Sequence, residues 1–498
     1  MNNLISKSQD MSTEYCATVV RVGEVKPIEN SDFLGTVMIE GRDIVVRKDA
    51  VHEGDVMIYV SNECQLDYNF LHLNNEFEDV ELNANYKEVT GVTTQMQHDG
   101  ATPEQIKEYI QQHKGYFDKR CRVRMKKLRG VMSMGYLIRP EQMETYMPVL
   151  KGFDWETHVE EDFDTVNDVL FVKAYVPAVK EPRNAKKGRY EKRVKKFNRM
   201  IPGQFAFHYD TQQLNRCMNR IKPSDSVSIT VKEHGTSAIF GNVKVKMPRW
   251  GGLYTRIFNY LPDFLRFTKN QYDTVYSSRS VIKNATLNPS VTDGFYGTDV
   301  WNEYYQILKK YIPEGVTIYG EIVGYVTGTT KGIQSMGGKV YDYGCKSGEN
   351  RLMIYRVKKT NEDGSVIEAN VGAVSRFTDH LINMIAADDK INMTNNADRI
   401  KPIVILHNGP LTELYPDVPQ DEHWHENVLE LMKQEHRFGM EENEPLCKNK
   451  LPREGIVLRI NGDPVAEAFK LKCLKFLGKE AEEMDKGEVN DIEMEERY

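Results

Sequence analysis

The amino-terminal third of the sequence alternates short β-like runs with turn residues, and this pattern constrains the fold more than any other feature. Runs rich in Val, Ile, Tyr and Met are separated by glycine or charged residues. Short strands with Gly-rich turns favour a small β-barrel or sandwich. The polar stretch 67–115 is predicted to be an elaborated loop inserted into that module. The β-like runs, within residues 14–150, are TVVRVGEV, GTVMIEGRDIVVR, GDVMIYV and RVRMKKLRGVMSMGYLI.

The length of the chain requires more than one domain. At 498 residues it is too long for one compact core, so two or three domains are expected. The acidic stretch VEEDFD at 159–164 is followed by a basic segment, and this change of charge predicts a linker near 155–170. We therefore expect a first domain over 1–155, a second over 156–478 and an acidic tail over 479–498.

The net charge of −7 averages over segments of opposite sign. Residues 180–200 contain ten Lys or Arg against two Glu, with two aromatic residues interleaved. That composition suits phosphate binding with base stacking, although charge runs are more often solvated linkers or helix faces. The residues that we expect on this basis to contact nucleic acid are Lys186, Lys187, Arg189, Lys192, Arg193, Lys195 and Lys196.

Composition argues against a membrane protein and against a disulfide scaffold. No window holds 18 or more apolar residues, and the amino terminus lacks the basic start and apolar run of a signal peptide. Seven scattered cysteines without a C-x-x-C pair indicate neither disulfides nor a zinc site. We expect a soluble, cytoplasmic protein, in the host cytoplasm if the source is viral, with reduced and mostly buried cysteines.

A lysine at the end of a predicted strand is the first candidate for chemistry. Apolar and polar residues alternate in VSITVK, residues 227–232, so a strand would leave Lys232 on its polar face, pointing into a cleft. The spacing of Asp210 and Gln213 predicts a short helix just before. Lys232 and Gly235 fit K-x-x-G, in which an unprotonated lysine attacks phosphorus and a glycine lets the backbone approach a nucleotide. Most isolated matches to this pattern are exposed strand-end lysines beside a turn.

Four later segments carry groups that such a lysine would need. Glu321 in TIYGEIVG and Glu454 in REGIVLRI are carboxylates that could hold a divalent cation directly or through water. Lys470 and Lys472 in AFKLKCLKF lie two residues apart, so a strand turns both to one face, where two cations suit phosphoryl transfer. The other two segments are SSRS, which supplies Arg279, and LMIYRV, which supplies Tyr355.

In chain order, the segments KEHGTS, SSRS, YGEIVG, IYRV, EGIVLR and FKLK resemble motifs I, Ia, III, IIIa, IV and V of the covalent nucleotidyltransferases, and specifically of RNA ligases. The histidine in KEHG, and GIQ at 332–334, are typical of the nick-sealing and related branches. The resemblance implies that Lys232 is adenylylated, that Arg279 contacts the ribose, that Tyr355 stacks on adenine, and that the two lysines of motif V hold the α-phosphate. The residues so implied to bind nucleotide are His234, Gly235, Arg279, Glu321, Tyr355, Lys470 and Lys472, and those implied to bind Mg²⁺ or Mn²⁺ are Glu321 and Glu454.

His234 and Tyr355 also have structural interpretations, as a hydrogen-bonding histidine and as core packing, and we favour the nucleotide pocket for both. The amino-terminal runs resemble an OB-like domain that precedes the catalytic domain in one family of RNA ligases. The fold class expected is therefore α+β, with a small OB-like β-barrel before an antiparallel-sheet nucleotidyltransferase (ATP-grasp-like ligase) domain. The long spacing between motifs IIIa and IV predicts an insertion near 360–445. Only 26 residues follow Lys472, where DNA ligases and capping enzymes place an OB domain, which favours an RNA ligase.

The resemblance implies an ATP-dependent RNA ligase that joins 3′-OH and 5′-phosphate ends through a covalent lysyl-AMP and an adenylylated 5′ end. Its expected cofactors are ATP and Mg²⁺ or Mn²⁺, its partner is RNA or an RNA-containing duplex, and a monomer acting in RNA repair by nick sealing is expected. A DNA ligase or a GTP-dependent capping-type nucleotidyltransferase is the alternative within the superfamily. A non-catalytic nucleic-acid-binding protein with the same fold is the alternative from another class.

Overall fold

The chain divides into two compact units, Met1–Val176 and Pro177–Tyr498. The boundary expected from the sequence was 155/156; the first unit extends further because strands within 162–174 pair with its earlier strands. The computed structural model describes residues 4–8, 15–29, 31–176, 197–208, 211–287, 296–462 and 468–486.

The amino-terminal unit is built on short antiparallel strands around two hydrophobic clusters. One sheet has the order β10-β6-β2-β11 and another the order β3-β4-β5, with smaller pairings β1-β12-β13, β7-β14 and β8-β9. The strands are β1 Ile5–Ser6, β2 Ala17–Arg21, β3 Lys26–Pro27, β4 Leu34–Ile39, β5 Arg42–Arg47, β6 Val56–Ser61, β7 Cys64–Leu66, β8 Lys126–Leu128, β9 Val131–Ser133, β10 Gly135–Ile138, β11 Asp162–Phe163, β12 Thr165–Val166, β13 Val169–Leu170 and β14 Val172–Ala174.

The stretch 67–115 is helical, so its prediction as an elaborated loop was wrong. Asp67 caps the first helix by accepting hydrogen bonds from the backbone of Asn69 and Phe70, and Thr102 forms a capping box with Gln105 at the start of the third. These local caps outweigh the polar composition that suggested a loop. The helices of this unit are α1 Tyr68–Leu73, α2 Tyr86–His98, α3 Pro103–Gln112 and α4 Pro140–Tyr146, with 3-10 turns at Val80–Leu82, Pro148–Leu150 and Trp155–His158.

The carboxy-terminal unit contains two larger, mostly antiparallel sheets. The first has the order β15-β27-β26-β16-β25, and the second has the order β18-β17-β19-β22-β23, with β24 paired to β22. The strands are β15 Gln212–Gln213, β16 Ser226–Lys232, β17 Thr236–Pro248, β18 Thr268–Ser277, β19 Val316–Gly324, β20 Ser335–Met336, β21 Lys339–Val340, β22 Asn350–Thr360, β23 Val366–Glu368, β24 Ile400–Pro402, β25 Ile405–Pro410, β26 Gly455–Ile460 and β27 Ala468–Lys472. The helices are α5 Leu214–Cys217, α6 Leu253–Ile257, α7 Val300–Leu308, α8 Val371–Asn392, α9 Leu411–Leu414, α10 Trp424–Gln434 and α11 Leu474–Lys486, with 3-10 turns at Met218–Arg220, Phe258–Tyr260, Asp263–Leu265, Ala397–Arg399 and His436–Phe438.

Each of these sheets packs one face on its own core. Apolar residues of β16, β26 and β27 lie in one cluster with Trp424 of α10 and Phe476 of α11. Residues of β17, β19 and β22 lie in a second cluster with Trp301 of α7 and Leu381 of α8. The expected α+β class with antiparallel sheets is confirmed.

The insertion predicted near 360–445 is integrated into this architecture. It supplies β25, which pairs with β16, and β24, which runs parallel to β22. An acidic tail was predicted from residue 479, but α11 continues to Lys486, and Ala481 and Met484 in this stretch are buried. Residues 487–498 lie outside the described part.

The cysteines and the short helix before β16 largely match the predictions from the sequence. The seven cysteines are free and six of them are buried, as expected. The short helix predicted before β16 is α5, with Gln213 as its N-cap residue; Asp210, its predicted cap, lies outside the described residues. None of the described helices is both long enough and apolar enough to cross a membrane.

Candidate active site

Lys232 is the last residue of β16, and strand register brings a second lysine into line with it. Lys232 pairs with Gly455 of β26, and Gly455 pairs on its other side with Lys472 of β27. Paired residues on neighbouring strands point to the same face of a sheet. The two lysines therefore lie on one face on either side of Gly455, where a Cβ would overlap the carbonyl oxygen of Leu471. Lys470, two residues before Lys472, lies on that face too.

Glu454 occupies the space next to these lysines. Its Oε1 lies 2.6 Å from Lys232 Nζ, and its side chain is only 5% exposed. Burial alone would raise the pKa of Glu454, but the charge of Lys232, the hydrogen bond and charge of His234, and the charge of Lys472 outweigh it and lower that pKa well below its ordinary value. Glu454 is therefore ionised at neutral pH and forms an ion pair with Lys232.

His234 is fixed by contacts on several sides. Its Nδ1 lies 3.5 Å from Glu454 Oε2, and its ring meets Tyr341 and Phe476 edge-on, with centroids 4.9 and 5.0 Å away. Its backbone N–H donates to the hydroxyl of Tyr343 at 2.6 Å. These contacts orient both the histidine and the turn that follows Lys232, which agrees with a structural role and leaves the nucleotide role a prediction.

Gly235 has a physical reason to be glycine. A Cβ built on it would overlap the carbonyl oxygen of Ile322 and lie 2.8 Å from Glu321 Cγ. Its own carbonyl accepts from Gln334 Nε2 at 3.0 Å. The glycine of K-x-x-G thus lets β19 approach the turn, which brings half-buried Glu321 next to the Lys232 segment. Gln334 belongs to the GIQ singled out in the sequence.

Glu233, between these motif residues, is buried. Burial and, to a smaller extent, the charge of Glu444 raise the pKa of Glu233 to about 8. A buried carboxyl group with this pKa is protonated at neutral pH. No pattern in the sequence distinguishes this glutamate from exposed ones.

Lys472 has a partner that the sequence did not indicate. Its Nζ lies 3.1 Å from both carboxylate oxygens of Glu480, in α11. Lys470 is buried, with 8% of its surface exposed. The predicted packing of the opposite face is confirmed, because Phe469, Leu471 and Cys473 all belong to the core cluster beneath β27.

A β-bulge in β22 determines where Tyr355 points. Tyr319 of β19 pairs with Arg356, but the next residue, Gly320, pairs with Ile354, so Tyr355 has no partner in register. Ile354 and Val357 both lie in the core with α7 and α8. The bulge therefore turns both Tyr355 and Arg356 away from that core, which argues against core packing for Tyr355.

His208 is a candidate that the sequence did not reveal. Its ring meets that of Tyr355 edge-on at 5.8 Å. The pKa of His208 is well below its ordinary value. The main cause is burial, and the nearby positive charges of Arg356, Arg279, Arg459 and Lys232 lower it further. The charges of Arg279 and Lys232 thus both act on His208, whose imidazole is neutral at neutral pH.

An ion-pair cluster around Glu368 was also missed. Arg356 Nε lies 2.8 Å from Glu368 Oε1, and the Arg356 side chain is fully buried. Lys358 and Arg459 also approach Glu368, at 3.4 and 3.5 Å. Because Arg459 lies on β26 and Glu368 on β23, this cluster joins the two sheets on the side that carries His208.

Among the described residues, no group of three or more His, Cys, Asp or Glu side chains could hold a metal ion. Mg²⁺ is usually bound through one or two carboxylates together with substrate phosphates. Glu321 lies beside Gly235 and Glu454 beside Lys232, so the chemistry of these two carboxylates fits an ion that enters with a nucleotide. The basic residues predicted within 186–196 lie outside the described part of the chain.

Comparisons with known proteins agree with this architecture. A family model described as an OB-fold domain matches residues 16–98. No curated protein matches the sequence. An RNA ligase of Naegleria gruberi in its apo form is similar in fold, with a TM-score of 0.50 at 15% identity over 95% of this chain and 100% of that chain. A structure of that ligase with AMP and Mn gives a TM-score of 0.49 at 14% identity over 94% of this chain and 99% of that chain. A structure with ATP and Mn gives a TM-score of 0.49 at 15% identity over 93% of this chain and 98% of that chain.

The chain therefore combines an OB-fold domain with the fold of an RNA ligase nucleotidyltransferase, as expected from the sequence. At 15% identity the likeness concerns the fold, and roles of individual residues must be argued from this chain.

Proposed function

We propose that this protein is an ATP-dependent RNA ligase that takes AMP onto Lys232 and seals a 3′-OH end to a 5′-phosphate end. The observation that carries the proposal is the alignment of Lys232, Gly455 and Lys472 across three neighbouring strands. It puts the proposed lysine nucleophile and a second cation on one sheet face, with only a glycine between them. This is the arrangement that attack on a phosphate requires.

In the first step, the lone pair of Lys232 Nζ forms a bond to the α-phosphorus of ATP, and the bond from that phosphorus to the bridging oxygen of pyrophosphate breaks. Lys232 must first leave its ion pair with Glu454 and lose its proton to solvent, to which its side chain is 26% exposed, because only the neutral amine is nucleophilic. Glu454 is a poor acceptor for that proton, since its pKa is lowered. A divalent ion at Glu321 and Glu454 would neutralise phosphate charge.

Other residues of the site are suited to hold the nucleotide. Lys470 and Lys472 lie on the same face as Lys232 and supply positive charge for the α-phosphate in an in-line displacement. Tyr355, turned outward by the bulge, is proposed as the stacking surface for the adenine, and Arg279 is proposed as the contact to the ribose. Neutral His208 supports the ring of Tyr355 from its edge.

The later steps transfer AMP to a 5′-phosphate and then displace it with a 3′-OH. In each, one phosphorus–oxygen bond forms and a bond from phosphorus to the leaving group breaks. These steps require two strand ends to be held in line, so positioning contributes most to the rate. The OB-fold domain and the basic segment 180–200 are the proposed contacts to the RNA backbone.

Incubation with α-labelled ATP and Mg²⁺ tests the first step. The wild-type protein should acquire a covalent label, and Lys232→Ala should not. Lys244→Ala is a matched control, because Lys244 also forms an ion pair and its side chain is 27% exposed against 26% for Lys232. Undiminished labelling of Lys232→Ala would remove this lysine from the mechanism.

A second pair of assays separates the proposal from its alternatives within the superfamily. Labelling with ATP but not with GTP is expected, and the reverse would identify a capping-type enzyme. Nicked duplexes with ribose or deoxyribose on each side of the junction should be sealed only when RNA is present. Equal sealing of an all-DNA nick would favour a DNA ligase.

A further inference from the structure

An exposed apolar surface lies at the end of the hairpin that β17 and β18 form. The two strands pair without interruption from Ile239 with Ser277 to Pro248 with Thr268. We call the connection between them, residues 249–267, the tip segment. Its exposed large apolar side chains, with exposed fractions, are Trp250 (51%), Leu253 (73%), Ile257 (39%), Tyr260 (73%), Phe264 (77%), Leu265 (41%) and Phe267 (47%).

The tip segment has a fixed internal structure. The hydroxyl of Tyr254 donates to the carbonyl of Leu265 at 2.7 Å and accepts from the backbone N–H of Phe267 at 2.7 Å. Arg266 donates to the carbonyl of Phe258 at 3.2 Å, and Phe258 is buried. The segment thus has its own interior, and its outer side chains are presented in a fixed arrangement.

Positive charge surrounds these apolar side chains. Lys246, Arg249, Arg256 and Lys269 are all exposed. The acidic residue of the segment, Asp263, lies 2.9 Å from Arg266. Cations next to exposed aromatic rings are the combination by which proteins hold a nucleic-acid strand, with phosphates on the cations and bases on the rings.

The position of the tip segment favours RNA over a lipid surface. Strand β17 begins at Thr236, four residues after Lys232, and pairs with β18 from Ile239 to Pro248, so it connects the candidate active site to the tip segment. Twelve residue steps along β17 at about 3.3 Å each span roughly 40 Å. An RNA whose ends are joined at Lys232 would reach the tip segment only with an arm of about that length.

We infer that the tip segment is an RNA-binding surface for the substrate arm, separate from the site that joins the ends. The inference rests on the proposed ligase function and identifies where the unreacting part of the RNA is held. It uses Tyr260 and Phe264 as stacking surfaces and the neighbouring cations as phosphate contacts.

The test compares Tyr260→Ser/Phe264→Ser with Ile391→Ser/Met393→Ser. The control residues are exposed apolar side chains at the end of α8, with exposed fractions of 78% and 95%. The RNAs are two nicked duplexes, one with arms shorter than about 40 Å and one with longer arms. Because each stacked base contributes on the order of tenfold or more, the tip variant should bind the long-armed RNA at least about tenfold more weakly than the control variant.

Binding of the short-armed RNA and labelling of Lys232 by ATP should be the same in both variants. Equal affinity of the two variants for the long-armed RNA would overturn the inference. The inference would also be overturned if the tip variant lost binding to anionic phospholipid vesicles, or lost self-association in sedimentation, while its affinity for RNA stayed unchanged. Absence of Lys232 labelling in the wild-type protein would refute the ligase function instead, whatever the RNA affinities.

Discussion

Replacing Lys472 by alanine distinguishes a phosphate-binding lysine from a structural one. Lys472 is in register with Gly455 and Lys232, but it also forms an ion pair with Glu480 in α11. Lys472→Ala removes both the charge beside the nucleophile and the link to α11. Glu480→Gln weakens only the link, so the pair of variants separates the two roles.

The expected magnitudes differ by role. The side chains of Lys472 and Glu480 are 16% and 15% exposed, so their charged hydrogen bonds contribute about 1.5–3 kcal/mol to stability. Either substitution should lower the thermal midpoint by a few degrees. Loss of one preorganised donor to charge developing in a transition state costs about 10²–10³ in rate, and this loss should occur in Lys472→Ala alone.

The assay is single-turnover labelling of Lys232 at saturating ATP, with thermal melts of each variant. Lys475→Ala is a further control, because Lys475 is exposed in α11 and donates to the backbone carbonyl of Glu441. Lys472→Ala should be slow, and Glu480→Gln and Lys475→Ala should be near the wild-type rate. If Glu480→Gln were as slow as Lys472→Ala, or if Lys472→Ala kept the wild-type rate, Lys472 would have no direct role.

Three further outcomes are expected. Gly235→Ala should destabilise the protein by about 1–3 kcal/mol and abolish labelling, because its Cβ would overlap the Ile322 carbonyl; an unchanged melting temperature would contradict this. Glu233 has a pKa of 4.5 in the unfolded chain and of about 8 in the folded protein. Between these two pH values the folded protein therefore keeps a proton that the unfolded chain loses. Stability should therefore fall by up to about 1.4 kcal/mol per pH unit as pH rises, and melts of Glu233→Gln should lack that part of the fall. Deleting residues 1–176 should spare Lys232 labelling more than nick sealing, since the candidate nucleotide residues lie after 176; equal loss in a folded truncation would refute that division.

Strand periodicity made much of the carboxy-terminal unit predictable. The alternation in VSITVK and AFKLKC identified β16 and β27, and it correctly assigned Phe469 and Leu471 to the core. The same reasoning failed for 67–115, because α2 and α3 are polar on average, and of their residues only Val89 is buried. The second domain was predicted to end at residue 478, because the acidic composition that follows does not indicate that α11 has a buried face.

The side chains that the sequence missed are brought to the site by tertiary structure. His208 contacts Tyr355 across 147 positions of the chain, and neither residue lies in a pattern that predicts the other. Arg356 and Arg459 meet at Glu368 only because β23 and β26 belong to sheets that face each other. The bulge at Tyr355 follows from pairing with β19, and single-strand periodicity cannot reveal a register shift.

Strand register also connects the core to the chemistry. A one-residue slip of β27 against β26 would put Leu471 beside Gly455 and turn Lys470 and Lys472 to the core face. Phe469 and Leu471 would then lose their buried positions, at about 1.5–3 kcal/mol each, and two ammonium groups would have to be desolvated. The packing of these apolar residues beneath the sheet therefore holds Lys472 in line with Lys232. It follows that a substitution such as Leu471→Ala, on the core face of β27, would act on the proposed reaction through the position of these lysines.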